Sequence, residues 1–176
     1  MLALRYRLRT LATALLCFIA LPAAAAEVSV EAGRTFMASR DGTNAAFVEA
    51  VFDEHALGDG LFTWAPDVSL GWIDGRDLPR GRNPRYDTED RVLLLAGGAR
   101  FRYGSVDDWY RNLFFSFQVA AQDGRTRALS SGYEFVSTFG YTWHHLSLQL
   151  RHISNGGLRK PNWGETAVLV GVGFEL

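Results

Sequence analysis

Residues 133–143 read YEFVSTFGYTW, and the spacing of their aromatic side chains decides the fold. Tyr133, Phe135, Phe139, Tyr141 and Trp143 occupy odd positions, whereas Glu134, Thr138 and Thr142 occupy even ones. Successive side chains of a β-strand point to opposite faces, so the segment is a strand with one aromatic face and one polar face. The same period returns along the chain. Leu113, Phe115, Phe117, Val119 and Ala121 oppose Asn112, Ser116 and Gln118, while Leu146, Leu148 and Leu150 oppose Ser147, Gln149 and Arg151. Val168, Val170, Val172 and Phe174 alternate with small residues, and looser stretches at 27–37, 44–53, 61–73 and 90–103 bring the candidate strands to eight. No segment carries a helical period.

Alternation does not say whether the apolar face points inward or outward, but volume does. An eight-stranded barrel encloses just enough space for its own side chains. Five aromatics from 133–143, together with Phe115, Phe117, Trp64 and Trp72, would overfill it. Placed outside, they form the apolar band and aromatic girdles of a lipid-facing barrel, with Glu, Thr, Gln, Ser and Arg filling a small polar interior. Closure also pairs every backbone group, as a bilayer requires. The reading is therefore all-β: an eight-stranded antiparallel transmembrane barrel of the bacterial outer membrane. The connections agree. Ala38–Thr43, Asp74–Glu89, Gln122–Ser131 and Asn155–Gly164 are long, and they alternate with the shorter Glu54–Gly60, Gly104–Asp108 and His144-His145. Short periplasmic turns and longer external loops are the rule in such barrels, so the end near Asn155 is expected outside.

The 176-residue chain has a formal net charge of −1, which excludes an overall basic nucleic-acid footprint. Its first 26 residues differ in kind from the rest. Arg5, Arg7 and Arg9 precede an apolar run from Leu11 to Leu21, then Pro22 and four alanines, the pattern of a cleaved secretory signal peptide. Its removal would leave one domain, 27–176, with 150 residues and a net charge of −4, because three arginines depart and no acid does. Cys17, the one cysteine, would leave as well, so disulfides are not expected. Leu16 before it does not fit a lipoprotein cleavage site. No other stretch approaches the ~18–20 apolar residues of a membrane-spanning helix.

Reactive residues concentrate in one place, RHISNGGLRKPNWGET at 151–166. By strand parity His152 and Ser154 continue the outward stripe of Leu146, Leu148 and Leu150. Polar side chains on a lipid-facing stripe are costly, and such positions read as functional. A histidine able to take the proton of a serine hydroxyl is the nucleophile–base unit of acyl transfer. Asn155 and the amides of the Asn155-Gly156-Gly157 turn are candidate oxyanion donors. The plain alternative is an Asn-Gly turn at the interfacial end of a strand, where polarity is tolerated. Adjacent His144 and His145, and the single His55, read as turn residues without a third metal ligand at useful spacing. Arg76, Arg80, Arg82 and Arg85 in the longest loop read as a solvated surface, with lipid phosphates as the functional alternative.

The run His152-x-Ser154-Asn155, with Gly157, Pro161-Asn162-x-Gly164 and a closing strand, resembles the lipid A 3-O-deacylase (PagL-type) outer-membrane family. The resemblance implies removal of the ester-linked acyl chain at the 3-position of lipid A, on the outside of the barrel and facing the outer leaflet. It implies Ser154 as nucleophile and His152 as base, with Asn155 and the Gly157 amide in the oxyanion hole. The family's acid falls at Thr166 here, and Glu165 comes one residue earlier. Val168, Val170 and Val172 mark even positions as outward, so Thr166 shares the face of His152 and Glu165 faces the lumen unless a bulge near Gly164 intervenes.

The expected function is a serine-type lipid A esterase that needs no cofactor or metal. Its expected partners are lipid A, or lipopolysaccharide, and outer-membrane lipids; nucleic acid is not expected, and a homodimer is compatible with the sequence. The rivals are a non-catalytic small barrel (structural, binding or adhesive) and, further off, a periplasmic lipocalin-like carrier.

Overall fold

A computed structural model describes residues 27–37, 42–58, 60–75 and 89–176. The expected signal peptide with Cys17, and Arg76, Arg80, Arg82 and Arg85, lie outside the described residues. The strands are β1 (Glu27–Phe36), β2 (Thr43–Val51), β3 (His55–Leu57), β4 (Phe62–Asp74), β5 (Arg91–Tyr103), β6 (Leu113–Asp123), β7 (Tyr133–Trp143), β8 (Leu146–Ser154) and β9 (Glu165–Glu175). Consecutive long strands pair antiparallel. β9 pairs back onto β1, with Glu27 opposite Glu175, and β2 pairs with β4, with Ala45 opposite Ile73. The sheet therefore closes into a barrel through the β1–β9 and β2–β4 pairings.

The wall has eight positions, as the alternation predicts, although one is shared by two strands. β4 is 13 residues long and runs past the end of β2. The exposed edge of its first half is taken by β3, where His55 sits opposite Trp64. Between β2 and β3 the Phe52 amide still donates to the Pro66 carbonyl at 2.9 Å. The alternation leaves Glu54–Gly60 as a connection, whereas β4's unmet backbone groups draw His55–Leu57 into the sheet. A second difference lies between β5 and β6. The strand expected from Trp109 begins only at Leu113, after a 3-10 turn over Trp109–Asn112. That turn is built locally: the Ser105 amide donates to the Asp108 carboxylate at 2.8 Å and the Arg111 amide to the Asp108 carbonyl at 3.0 Å.

The aromatics are outside, where lumen volume requires them. Tyr133, Phe139 and Trp143 of β7, Phe115 and Phe117 of β6 and Trp72 of β4 are exposed, among aliphatics such as Val30, Leu95, Leu148 and Val170. An apolar exterior of this extent on a closed barrel is the surface of a membrane-spanning protein.

The interior is less uniformly polar than expected. Its waist is a charged network. Arg151 bonds Glu31 at 3.0 Å, Glu49 at 3.2 Å and Thr138 at 3.0 Å, and its guanidinium lies 4.3 Å from the centre of the Phe47 ring. Arg100 bonds Glu49 at 2.9 Å and stacks 4.1 Å above Phe114. The end nearest the β8–β9 connection is instead aliphatic, with Met37, Ile73, Val92, Leu129 and Ile153 all buried. Leu129 reaches it from the β6–β7 connection, which alternation within strands does not register.

Candidate active site on the outer wall

β8 brings the two candidate residues to the outer surface. Gln149, Arg151 and Ile153 are buried in the lumen, whereas Leu148, Leu150 and His152 are exposed and Ser154 is half-buried at the strand's end. A two-residue period on one straight strand leaves no other outcome, so the predicted placement of His152 and Ser154 on the lipid-facing stripe is what the barrel shows. No direct hydrogen bond joins the Ser154 hydroxyl to the imidazole here. In apo sites such contacts often tighten only when substrate is bound.

The imidazole is held from its other side. His152 is opposite Thr166 of β9, and its Nδ1 lies 3.0 Å from the Thr166 Oγ1. Glu165, one residue earlier, points inward. Its carboxylate is buried and accepts a hydrogen bond from the Thr35 hydroxyl at 2.8 Å. No bulge intervenes, because β8 and β9 stay in register from Leu146↔Val172 to Ile153↔Glu165. The structure thus brings Thr166, and not Glu165, to His152.

Gly164 supplies the space for the ring. It follows in register from the Ile153↔Glu165 pair, level with Ser154, and adopts φ +67°. A Cβ there would stand 2.9 Å from His152 Cε1 and 3.3 Å from Nε2. The Nε2 edge therefore lies against bare backbone, turned toward the level of the serine. The Gly164 amide is fixed by the Ala128 carbonyl at 3.1 Å, which ties the β6–β7 connection to the site. In the sequence this glycine is one member of a motif; its place against the ring appears only once the two strands are paired.

The expected oxyanion donors are already engaged. Asn155 is buried, its Oδ1 accepting from the Gly157 amide at 3.1 Å and the Arg159 amide at 3.4 Å, and its Nδ2 donating to the Arg159 carbonyl at 3.0 Å. Its own amide donates to the Asn162 Oδ1 at 3.2 Å. In this conformation Asn155 folds the turn that follows the serine. An NH₂ group has two hydrogens, so Nδ2 retains one donor beyond the Arg159 bond, whereas the single Gly157 N–H is spent on Asn155. Phe135, opposite Ser154 on β7, packs its ring against Gly156 and shields the other flank. His144 and His145 form the two-residue turn expected between β7 and β8, at the far end of the barrel, and His55 packs on the Trp64 ring at 5.2 Å.

The model of the lipid A 3-O-deacylase (PagL) family matches residues 110–175 of the chain. Among solved structures, the crystal structure of the outer membrane enzyme PagL is similar in fold. Its TM-score is 0.55 at 15% sequence identity, and the match covers 86% of this chain and 100% of that one. The crystal structure of Ail, the attachment invasion locus protein of Yersinia pestis, matches at a TM-score of 0.41 and 8% identity, over 85% of this chain and 99% of that one, a likeness too low to build on. No curated protein matches the sequence.

Proposed function

Over residues 110–175 the chain is of the lipid A 3-O-deacylase (PagL) type, and from that premise we propose that it hydrolyses the ester-linked acyl chain at the 3-position of lipid A in the outer leaflet. The observation that carries the proposal is the placement of His152 and Ser154 on the outside of the barrel, with Nδ1 of the imidazole bonded to Thr166. A substrate embedded in the leaflet reaches that wall laterally and need not enter the lumen. Residues 1–26 are then the signal peptide that exports the chain, the mature domain is 27–176, and the end bearing the β8–β9 connection lies outside. No described surface points to a homodimer.

In this mechanism His152 Nε2 takes the Ser154 proton as Oγ attacks the acyl carbonyl carbon. The tetrahedral intermediate collapses, the imidazolium returns the proton to the departing sugar oxygen, and the acyl chain remains on Ser154. A water deprotonated by His152 then attacks the acyl-enzyme, the fatty acid leaves, and the proton goes back to Oγ. Thr166 is a positioning residue: by accepting the Nδ1–H it selects the tautomer in which Nε2 is the base. Asn155 takes the oxyanion role through its second Nδ2 hydrogen, whereas the Gly157 amide can do so only by giving up its bond to Asn155. Glu165, also a candidate for the acid, remains a lumen residue in this scheme.

The deciding experiment is lipid A mass spectrometry from cells expressing wild type or Ser154→Ala in the outer membrane. Wild type removes one acyl mass and Ser154→Ala does not. Identical spectra would return the chain to a non-catalytic barrel.

A further inference from the structure

The outward face of β7 is a nearly unbroken aromatic row: Tyr133, Phe135, Phe139, Tyr141 and Trp143. The break is Ser137. Register places it directly opposite His152 on β8 and opposite Phe117 on β6. Cross-strand partners in an antiparallel sheet have Cβ atoms about 4.5–5.5 Å apart, so Ser137 is the β7 neighbour of His152 on the outer face. The Phe117 ring leans away from it to stack on Phe135, with centroids 6.0 Å apart and planes 19° apart. The serine thus sits in a notch walled by that aromatic pair, Phe139 and His152. It is half-buried, and its hydroxyl has no hydrogen-bond partner among the described residues.

A hydroxyl without a bonded partner on a lipid-facing aromatic row is costly unless something polar meets it. The geometry of the proposed reaction says what passes there. An acyl chain bonded to Ser154, with its sugar at the external boundary, must run down the wall toward the bilayer centre. Ser137 lies at the His152 level, two residues below Ser154 along the wall, or ~7 Å at about 3.4 Å per residue. The first few carbons of the acyl chain cover that distance. We propose that Ser137 is a specificity-determining residue that hydrogen-bonds a hydroxyl substituent on the acyl chain close to the scissile ester, so that hydroxyacyl esters are preferred over unsubstituted ones. The inference rests on the deacylase reading above and adds to it the feature of the acyl chain that is read.

The test compares wild type and Ser137→Ala, refolded in detergent, on two ester substrates of equal chain length, one with a 3-hydroxyacyl and one with an unsubstituted acyl group. The expected result is a roughly tenfold fall in kcat/KM for the hydroxyacyl ester, the size of one hydrogen bond, with the unsubstituted ester unchanged. Ser137→Thr, which keeps the hydroxyl, should restore the preference. Equal losses on both esters would make Ser137 a support for His152 and overturn the proposal, as would no change on either. The same pair of esters is titrated against Ser154→Ala and the double variant Ser154→Ala/Ser137→Ala, with binding read by tryptophan fluorescence. Selective weakening for the hydroxyacyl ester supports the proposal even if wild type hydrolyses neither, an outcome that would sink the deacylase reading alone. Identical affinity ratios in the two backgrounds would sink the role of Ser137 while leaving hydrolysis intact.

Discussion

His152 Nδ1 lies 3.0 Å from the hydroxyl of Thr166, at the position where the resemblance to the lipid A deacylases leads one to expect a carboxylate. A hydroxyl can fix the tautomer and orientation of an imidazole, but it cannot compensate the positive charge the ring acquires on taking a proton. In the proposed site the third member behind the imidazole is thus uncharged.

Thr166→Val should therefore lower kcat by about ten- to a hundredfold with little change in KM, since an orienting bond at the reacting base acts on the chemical step. Thr166→Ser, which keeps the hydroxyl, should hold kcat within about threefold of wild type. Steady-state kinetics on purified, refolded barrels read both effects. An unchanged kcat in Thr166→Val would show that the bond plays no part in turnover.

Glu165→Gln should retain at least half of wild-type activity. The side chain is in the lumen with Thr35, on the far side of the wall from the imidazole, and the amide oxygen can still accept the Thr35 hydrogen bond. A loss as deep as that of Ser154→Ala would mean that β9 shifts register in the working enzyme.

Gly164→Ala should separate activity from stability. Its Cβ would press on the His152 ring, and φ +67° is a conformation that alanine adopts at a cost of about 1 kcal/mol. Turnover should fall at least about tenfold, as displacement of the base by a fraction of an ångström is enough. The urea midpoint should move only slightly, because the β8–β9 pairs below Gly164 are untouched. Equal losses in both would identify the glycine as structural.

Arg151→Met tests what supports the strand under His152. Removing the guanidinium leaves Glu31 facing Glu49 in the lumen, with Arg100 still bonded to Glu49 but the Arg151 bonds to both carboxylates gone. Breaking a buried pair from one side costs about 3–5 kcal/mol, which equilibrium urea unfolding in detergent or lipid would resolve. A variant as stable as wild type would show that the network is dispensable.

Much of the molecule was legible from alternation. Every second residue of 113–121, 133–143, 146–154 and 166–174 faces outward in the barrel as it does in the one-dimensional pattern, because a strand has no freedom to do otherwise. The same rule put His152 and Ser154 on the outer wall and Glu165 inside it. What escaped were features made between strands or by connections. β3 forms because β4 outruns β2, and Leu129 seals one end of the lumen from a loop; neither fact resides in the residues concerned.

By itself, then, the sequence determined the period, the number of wall positions and the face of each side chain, since these follow from backbone geometry one residue at a time. Only the closed barrel decided who stands beside whom. Cross-strand register set Thr166 on one side of His152 and Ser137 on the other, and opened Gly164 against the ring. Asn155, which the local run suggests as a donor, is also bound into the turn by Gly157 and Arg159. Neighbours across a sheet come from distant parts of the chain, and their spacing is fixed by hydrogen-bonded register, a property no local pattern carries.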